Sequence, residues 1–333
     1  MKWVCILVSL ISLSLVTGCS KVKPAATQSH TQNSTLAPLG SLQQCQQYSG
    51  LPEAWQNSKT AGMVWIPEGS FQLGSNLAYP DELNFGQAQR QVTGFWIDQT
   101  EVTVAQFSSF VKATGYITDA EKQKQAAVFS PDANNPKQWW QLKADYTWKK
   151  PNGPAGQAPL PSEPVRYVTK NDAEHYTVWL GRDLPTEQEW EYAAKAGSKS
   201  DTPLHQAPQD THQHPQANYW QGEFPFDNTV EDHFQSVAPV GCYASNAFKL
   251  FDMIGNVWEW TSSAYHGAHD QHMGNYAELR QQNSTATQYV LKGGSFLCAS
   301  NFCARYRNSS RYPQEFDLAA THVGFRTILR TVE

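Results

Sequence analysis

The 333-residue chain has no long run of lysine or arginine, and its formal charge of -5 is spread along its length. It therefore offers no basic stripe to neutralise a nucleic-acid backbone, and no nucleic-acid partner is expected. Long apolar segments of regular period are scarce too. The apolar stretch from Trp3 to Val16, behind Lys2, is too short for a comfortable membrane span. What is plentiful is aromatic and chain-breaking: 12 Trp, 14 Tyr and 15 Phe stand beside 21 Gly and 19 Pro. With 40% hydrophobic residues, this is enough apolar material for one large core or two smaller ones. Gly and Pro interrupt helices and strands alike, so a loop-rich α+β fold with little regular secondary structure is expected.

Residues 1–18 read as an export signal rather than as part of the fold. Their end, Val16-Thr17-Gly18-Cys19, resembles a bacterial lipobox. That resemblance implies cleavage before Cys19 and lipidation of its sulfur, so the membrane is met through the lipid anchor only. Ser20 in place of Asp at the next position implies the outer membrane, facing the periplasm or the cell surface. A simple secretory peptide or an uncleaved anchor is the alternative. Residues 20–44 are mostly Ser, Thr, Gln, Ala and Pro, too poor in apolar side chains to offset the entropy of ordering. Residues 19–55 are thus expected to be a mostly flexible, lipidated tether, and 56–333 the folded domain.

Within that domain, MVWIPEGSFQLGS from Met63 alternates apolar and small residues about Pro-Glu-Gly, as a hairpin would, and GFWIDQTEVT supplies another strand. Thr103, with Gln106 three residues on, caps a helix that Gly115 ends. Ala120 to Pro161 reads as a long ordered loop pinned by Trp139, Trp140 and Trp148. PVRYVT from Pro164 reads as a strand, and Asn171 to Leu180 as a helix stopped by Gly181. Thr186 and Glu189 have capping-box spacing ahead of a helix that runs on to Gly197. His205, His212 and His214, and likewise His266, His269 and His272, lie in polar stretches typical of solvated loops and are not expected to hold a metal.

Leu291 to Arg311, LKGGSFLCASNFCARYRNSSR, carries the chemistry. Cys298 and Cys303 stand close together behind a glycine pair and Ser295. Two such thiols can close a small disulfide, hold a soft metal, or pass through both states. In the oxidising compartment that an export signal implies, the disulfide is a serious alternative. After Cys19, the remaining thiols are Cys45 and Cys242, for which a stabilising bridge is a hypothesis.

MVWIPEGSF, LPTEQEWEYAA, GNVWEWTSS, KGGSF and GFR, in this order, resemble the formylglycine-generating enzyme (sulfatase-modifying factor) domain, over roughly Gly62 to Thr331. TGYITDAEK, WQGEF with its following NT-x-ED-x-FQ, Trp148 before Lys-Lys-Pro-Asn-Gly-Pro, and the two cysteines ahead of RYR resemble the true enzymes more narrowly. The resemblance implies a loop-rich variant of the C-type lectin-like fold. It implies a monomeric oxidoreductase that uses O2, Cu(I) and a thiol reductant to convert a cysteine in the C-x-P-x-R segment of a sulfatase polypeptide to Cα-formylglycine. Thiolates are the soft donors that select Cu(I). The catalytic set implied is Cys298 and Cys303, the copper ligands, with Ser295 and Trp258 beside them. Arg311, Trp148 and His322 are the implied substrate-binding residues. Structural calcium is implied at two places. One comprises Asn218, Asp232 and the carbonyls of Tyr219 and Phe234. The other comprises Asp252, Glu259 and the carbonyls of Gly255 and Val257, oxygen sets that suit a hard cation.

Three positions depart from the family's pattern: Ala299 replaces a histidine, Phe302 a tyrosine, and His322 an asparagine. Fold alone does not fix activity. The alternatives are a noncatalytic envelope binding module on the same scaffold and a related oxidoreductase acting on another thiol. An iron-dependent sulfoxide synthase is disfavoured, because the chain has no H-x3-H-x-E cluster. It contains no C-x-P-x-R either, so it is not its own substrate.

Overall fold

The computed structural model describes residues 38–83, 89–132, 135, 138–199, 202–265 and 288–331. Cys19, most of the expected tether, and His266, His269 and His272 lie outside the described residues.

In chain order these form helix α1 (Leu42–Gln47), strands β1 (Met63–Ile66), β2 (Gly69–Phe71), β3 (Arg90–Val92) and β4 (Phe95–Asp98), and helices α2 (Val104–Thr114) and α3 (Asp119–Gln123). Strands β5 (Gln125–Phe129) and β6 (Trp140–Ala144) precede helices α4 (Lys170–Leu180) and α5 (Glu187–Lys195). The last strands are β7 (Trp258–Ala264), β8 (Gln288–Lys292), β9 (Arg311–Glu315), β10 (Val323–Gly324) and β11 (Ile328–Arg330). Elements this short, joined by long connections, make the α+β, loop-rich architecture expected from composition. No helix among the described residues is long and apolar enough to cross a membrane.

Local chemistry sets the helix starts. Thr103, Thr118, Thr169 and Thr186 each accept a hydrogen bond from the third residue of their helix, whose side chain reaches back to the threonine N–H. Two orphan donors are satisfied at each start, worth about 1 kcal/mol per cap. Gly115 and Gly181 end α2 and α4 in the left-handed conformation. α5 stops at Lys195, with Ala196 as its left-handed cap, slightly short of Gly197.

Long-range pairing decides the strands. β4 is the centre of one antiparallel sheet, between β1 and β11. A second sheet runs β10-β7-β8-β9, with β10 parallel to β7 and the other pairs antiparallel. The expected hairpin at Met63 does not form: β1 pairs with β4, and β2 with β3. Pro67 fixes φ near the value that a tight hairpin turn, with its positive φ, excludes. The strand expected at Pro164 is absent as well. Val165 donates to Val102 O at 2.8 Å and Tyr167 to Ala320 O at 3.2 Å, while Tyr167 turns to φ +60° and breaks the extended path. The stretch expected as a loop from Ala120 instead holds α3 and the β5–β6 hairpin, whose register pairs Phe129 with Trp140.

The core has two main centres. In one, Phe107 stacks on Tyr176 at 5.8 Å and meets Phe110, Trp148 and Phe325 edge-on. In the other, Ile66, Phe95 and Ile97 of the first sheet pack with Trp190 of α5 and Ile328. Fully burying such a side chain contributes about 1.5–3 kcal/mol.

The tether does not extend to residue 55. α1 carries buried Cys45, which is bridged to Cys242, and Gly40 donates to Gly241 O at 2.8 Å. Residues 38–55 therefore belong to the folded body. The bridge supplies what their polar composition lacks, a covalent anchor to a segment 197 residues away.

Candidate functional site

β8 and β9 are neighbours in the second sheet, and the excursion between them, 293–310, carries both free cysteines. It leaves β8 through Gly293 and Gly294, both at positive φ. A Cβ on Gly294 would stand 2.4 Å from Arg305 O, so only glycine permits the outgoing and returning chains to touch here. Between them Ala299 and Phe302 pair as a minimal antiparallel bridge: Ala299 N donates to Phe302 O at 2.9 Å, and Phe302 N to Ala299 O at 3.2 Å. Cys298 and Cys303 flank that pair and come opposite one another. The four-residue spacing is thus what a two-residue turn needs to present two thiols side by side.

The two thiols lie close enough to perturb one another's acidity. Burial pushes Cys298 up, but the influence of Cys303 and of the neighbouring Ser295 and Arg305 backbone outweighs it, and its net shift is downward. The Ser295 N–H lies 3.4 Å from the sulfur. The proximity of Cys298, together with burial, raises the Cys303 pKa well above the usual thiol value. Cys298 is buried and Cys303 half-buried.

Both sulfurs open into a cleft of ≈ 510 Å³, counting its open mouth. Ser295, Leu297, Trp258, Tyr312 and His322 also line it. Trp139, Trp140, Phe224 and Phe302 complete the lining. Phe224 and Phe302 stack with centroids 4.5 Å apart, and Trp139 meets Phe302 edge-on at 4.7 Å. His322 lies 4.7 Å from Trp140, ring to ring, and its Nδ1 has no hydrogen-bond partner. Burial pulls its pKa down to about 3, so the imidazole is neutral at physiological pH. An apolar cleft with a few polar atoms at one end suits a peptide side chain approaching the thiols.

Five of the seven residues expected to act at the catalytic or substrate site, Cys298, Cys303, Ser295, Trp258 and His322, therefore come together. Two do not line the cleft. Trp148 is a core residue, edge-on to Phe107 at 5.2 Å, buried there because an indole in this stretch finds more apolar area inside than at the surface. Arg311 sits on β9 with Nε 2.8 Å from Glu187 Oε1 and its guanidinium 4.6 Å from the centre of the Tyr265 ring. Glu187, at the start of α5, neutralises it. Trp139, Trp140, Phe224 and Tyr312 were not singled out as site residues in the sequence. The density of aromatics around them was its one signal.

The two oxygen clusters differ in how well they suit a cation. In the first, Asn218 Oδ1 is buried without a partner, and burial raises the Asp232 pKa. Asp232 accepts from Phe234 N at 2.9 Å, Gln221 Nε2 at 3.0 Å and Tyr219 N at 3.3 Å. An orphaned amide oxygen near a buried carboxylate fits a hard cation. In the second, Glu259 is fully engaged: Arg326 grips it at 2.7 Å through each oxygen, and Trp190 Nε1 donates to it at 2.7 Å. The Asp252 carboxylate instead adds to the burial that disfavours charge on Glu101, a residue the sequence reading did not select. Burial pushes Asp252 up to about 6 and raises Glu101 well above its usual value, and Glu101 Oε2 has no partner. A cation there would relieve the repulsion between Asp252 and Glu101, with Glu259 oriented by Arg326. Among the described residues no three His, Cys, Asp or Glu side chains converge as a metal site.

Similarity to known proteins agrees with this geometry. Residues 48–331 match the family described as sulfatase-modifying factor enzyme 1-like domain. The formylglycine-generating enzyme of Thermomonospora curvata is 38% identical over 290 residues, 80% of this chain and 92% of that protein. The inactive C-alpha-formylglycine-generating enzyme 2 of Bos taurus is 34% identical over 288 residues, 81% of this chain and 88% of that protein. The structure of PvdO from Pseudomonas aeruginosa shares the fold with TM-score 0.54 at 23% identity, covering 82% of this chain and 96% of that one. The chain thus belongs to the sulfatase-modifying factor enzyme 1-like family, with two free thiols at the floor of its cleft.

Proposed function

We propose that this protein is a copper-dependent oxidase that converts a cysteine in the C-x-P-x-R segment of a sulfatase to Cα-formylglycine. The observation that carries the reading is the pair Cys298 and Cys303, free, side by side across the Ala299–Phe302 bridge and facing one cleft. Their sulfurs would hold Cu(I), which supplies oxygen activation when bound. The net change is oxidation of the substrate CH2–SH to an aldehyde with loss of hydrogen sulfide. O2 is reduced to water, and a thiol reductant supplies the remaining two electrons.

The chain's own residues have distinct roles in this reading. Cys298, the more buried thiol, is the standing ligand. Cys303 is the ligand nearer the opening. Ser295 fixes the Cys298 sulfur through its backbone N–H. Trp258 and the aromatic wall exclude water from the reacting sulfur, and neutral His322 offers a polar contact to the incoming peptide. Calcium would rigidify the loops through Asn218 and Asp232, and through Asp252, Glu101 and the neighbouring carbonyls. We read the protein as an exported lipoprotein attached through Cys19, acting as a monomer. The Cys45–Cys242 bridge supports an oxidising compartment.

The test is mass spectrometry of a C-x-P-x-R peptide incubated with enzyme, O2 and reductant, with and without copper. The expected product has lost sulfur and gained a carbonyl. Undiminished conversion by Cys303→Ser would defeat the reading. A noncatalytic module is the second reading, motivated by the inactive relative at 34% identity. Absence of both Cu(I) binding and oxygen consumption would favour it.

A further inference from the structure

We propose that Tyr79 and Glu82, in a segment more than 200 residues upstream of the cysteines, are positioning residues for Cys303. Cys303 has φ +49°, a left-handed conformation that costs a residue with a Cβ about 1 kcal/mol or more unless its surroundings impose it. Several hydrogen bonds of the residues just after it are made with this segment, while Arg305 also donates to Arg311 O. The Ala304 N–H donates to the Tyr79 hydroxyl at 3.1 Å. Arg305, almost fully buried, donates to Glu82 Oε1 at 2.7 Å and to both oxygens of Asp81 at 3.0 Å. Arg307 donates to the other Glu82 oxygen, to Ala304 O and to Leu204 O. The Tyr79 ring faces both guanidinium groups, at 4.4 Å from Arg305 and 5.4 Å from Arg307.

Three of the four residues after Cys303 are thus held from one side: Ala304 by the Tyr79 hydroxyl, Arg305 and Arg307 by the Glu82 carboxylate. Glu82 is 2% exposed, and its two oxygens are divided between the two arginines. Splitting one carboxylate between residues two apart fixes the path of the chain as well as its charge. The Arg305 N–H closes toward Cys303 O at 2.6 Å, so the restraint reaches the cysteine's own backbone. Without it, Cys303 would relax toward negative φ and its side chain would swing from Cys298. Neither Tyr79 nor Glu82 lines the cleft, and they act on the chemistry only through Cys303.

The proposal deepens the reading of the cysteine pair as the reactive site, but its first measurement does not depend on that reading. In the full exported chain, reduced and free of copper, iodoacetamide labelling of Cys298 and Cys303 is followed by peptide mapping, and Cu(I) affinity is measured against a chromophoric chelator. Tyr79→Phe keeps the ring on the arginines and removes the hydroxyl. It is expected to raise the labelling rate of Cys303 about three- to tenfold, the effect of one lost hydrogen bond, and to weaken Cu(I) by a similar factor. Cys298 labelling should rise less than that of Cys303, and the melting temperature should fall by only a few degrees. Glu82→Gln should act in the same direction and more strongly; if it fails to fold, the Tyr79→Phe measurement still decides. Thr118→Ala, a helix cap remote from the cysteines in sequence, is the control for general loosening. Parental Cys303 labelling in Tyr79→Phe overturns the proposal, as does an equal rise in Thr118→Ala. Should no variant or parent bind Cu(I), the proposed function fails while the labelling result still stands.

Discussion

Cys298 and Cys303 flank the Ala299–Phe302 bridge and face one cleft, and their contact moves their acidities in opposite directions, Cys298 downward and Cys303 upward. The Cys298 sulfur also receives the Ser295 N–H. Two thiols set this close in a buried site hold together most readily once something replaces their protons. A soft monovalent cation is such a replacement.

Cu(I) removal is the direct consequence to examine. Dialysis against a Cu(I) chelator under reducing conditions should abolish peptide conversion, and stoichiometric Cu(I) should restore it. Cys298→Ser and Cys303→Ser should each lose tight binding in a chelator competition. Retention of parental affinity by either variant would contradict the two-sulfur site.

Cys45 and Cys242 close a loop spanning 197 residues. Replacing both by serine should lower stability by about 2–5 kcal/mol, read as a fall in denaturation midpoint, because the unfolded chain regains the freedom that the bridge removed. The cleft lies elsewhere, so peptide conversion below the new midpoint should persist.

Arg326 and Glu259 are both essentially inaccessible and joined by two hydrogen bonds of 2.7 Å. Glu259→Gln would leave the guanidinium buried without its counter-charge, at a cost of about 3–5 kcal/mol. If Glu259 acts mainly through Arg326, that loss should be nearly the same in excess calcium and in EDTA. A loss confined to calcium-replete protein would identify Glu259 as a principal calcium ligand instead.

His322 gives a pH prediction. Burial holds its folded pKa near 3, below the ordinary histidine value of about 6.5. The unfolded state therefore binds a proton first as pH falls, and the neutral imidazole's contribution, complete above about 6.5, is lost progressively below it. His322→Asn should flatten the decline in stability between about pH 6.5 and 4 in denaturant titrations at successive pH values. An unchanged slope would mean that His322 is solvated and titrates normally.

Much was legible along the chain because its causes are local. Thr103 with Gln106 and Thr186 with Glu189 announce helix starts, since a capping box closes within four residues. Cys298 and Cys303 announce a paired-thiol site because a two-residue turn suffices to face them. The placement of Met63–Ile66 was not legible: which strand it pairs with depends on β4, some 30 residues away, and the period of its side chains is silent on partners. Trp148 and Arg311 show the same limit at the site. The motif around each was informative, but whether an indole faces a cleft or a core, and which carboxylate meets a guanidinium, depends on surfaces contributed by α2 and α5.

By itself the sequence determined the class of fold, the boundaries of α2, α4 and α5 to within a residue or two, and the pair of sulfurs, all properties of neighbouring residues. The tertiary structure decided what those sulfurs face and what holds them. It brought Tyr79 and Glu82 against the chain beyond Cys303, Glu101 against Asp252, and Cys45 against Cys242. Contacts across such separations follow from how buried surfaces and charges are shared in three dimensions, which no local pattern encodes.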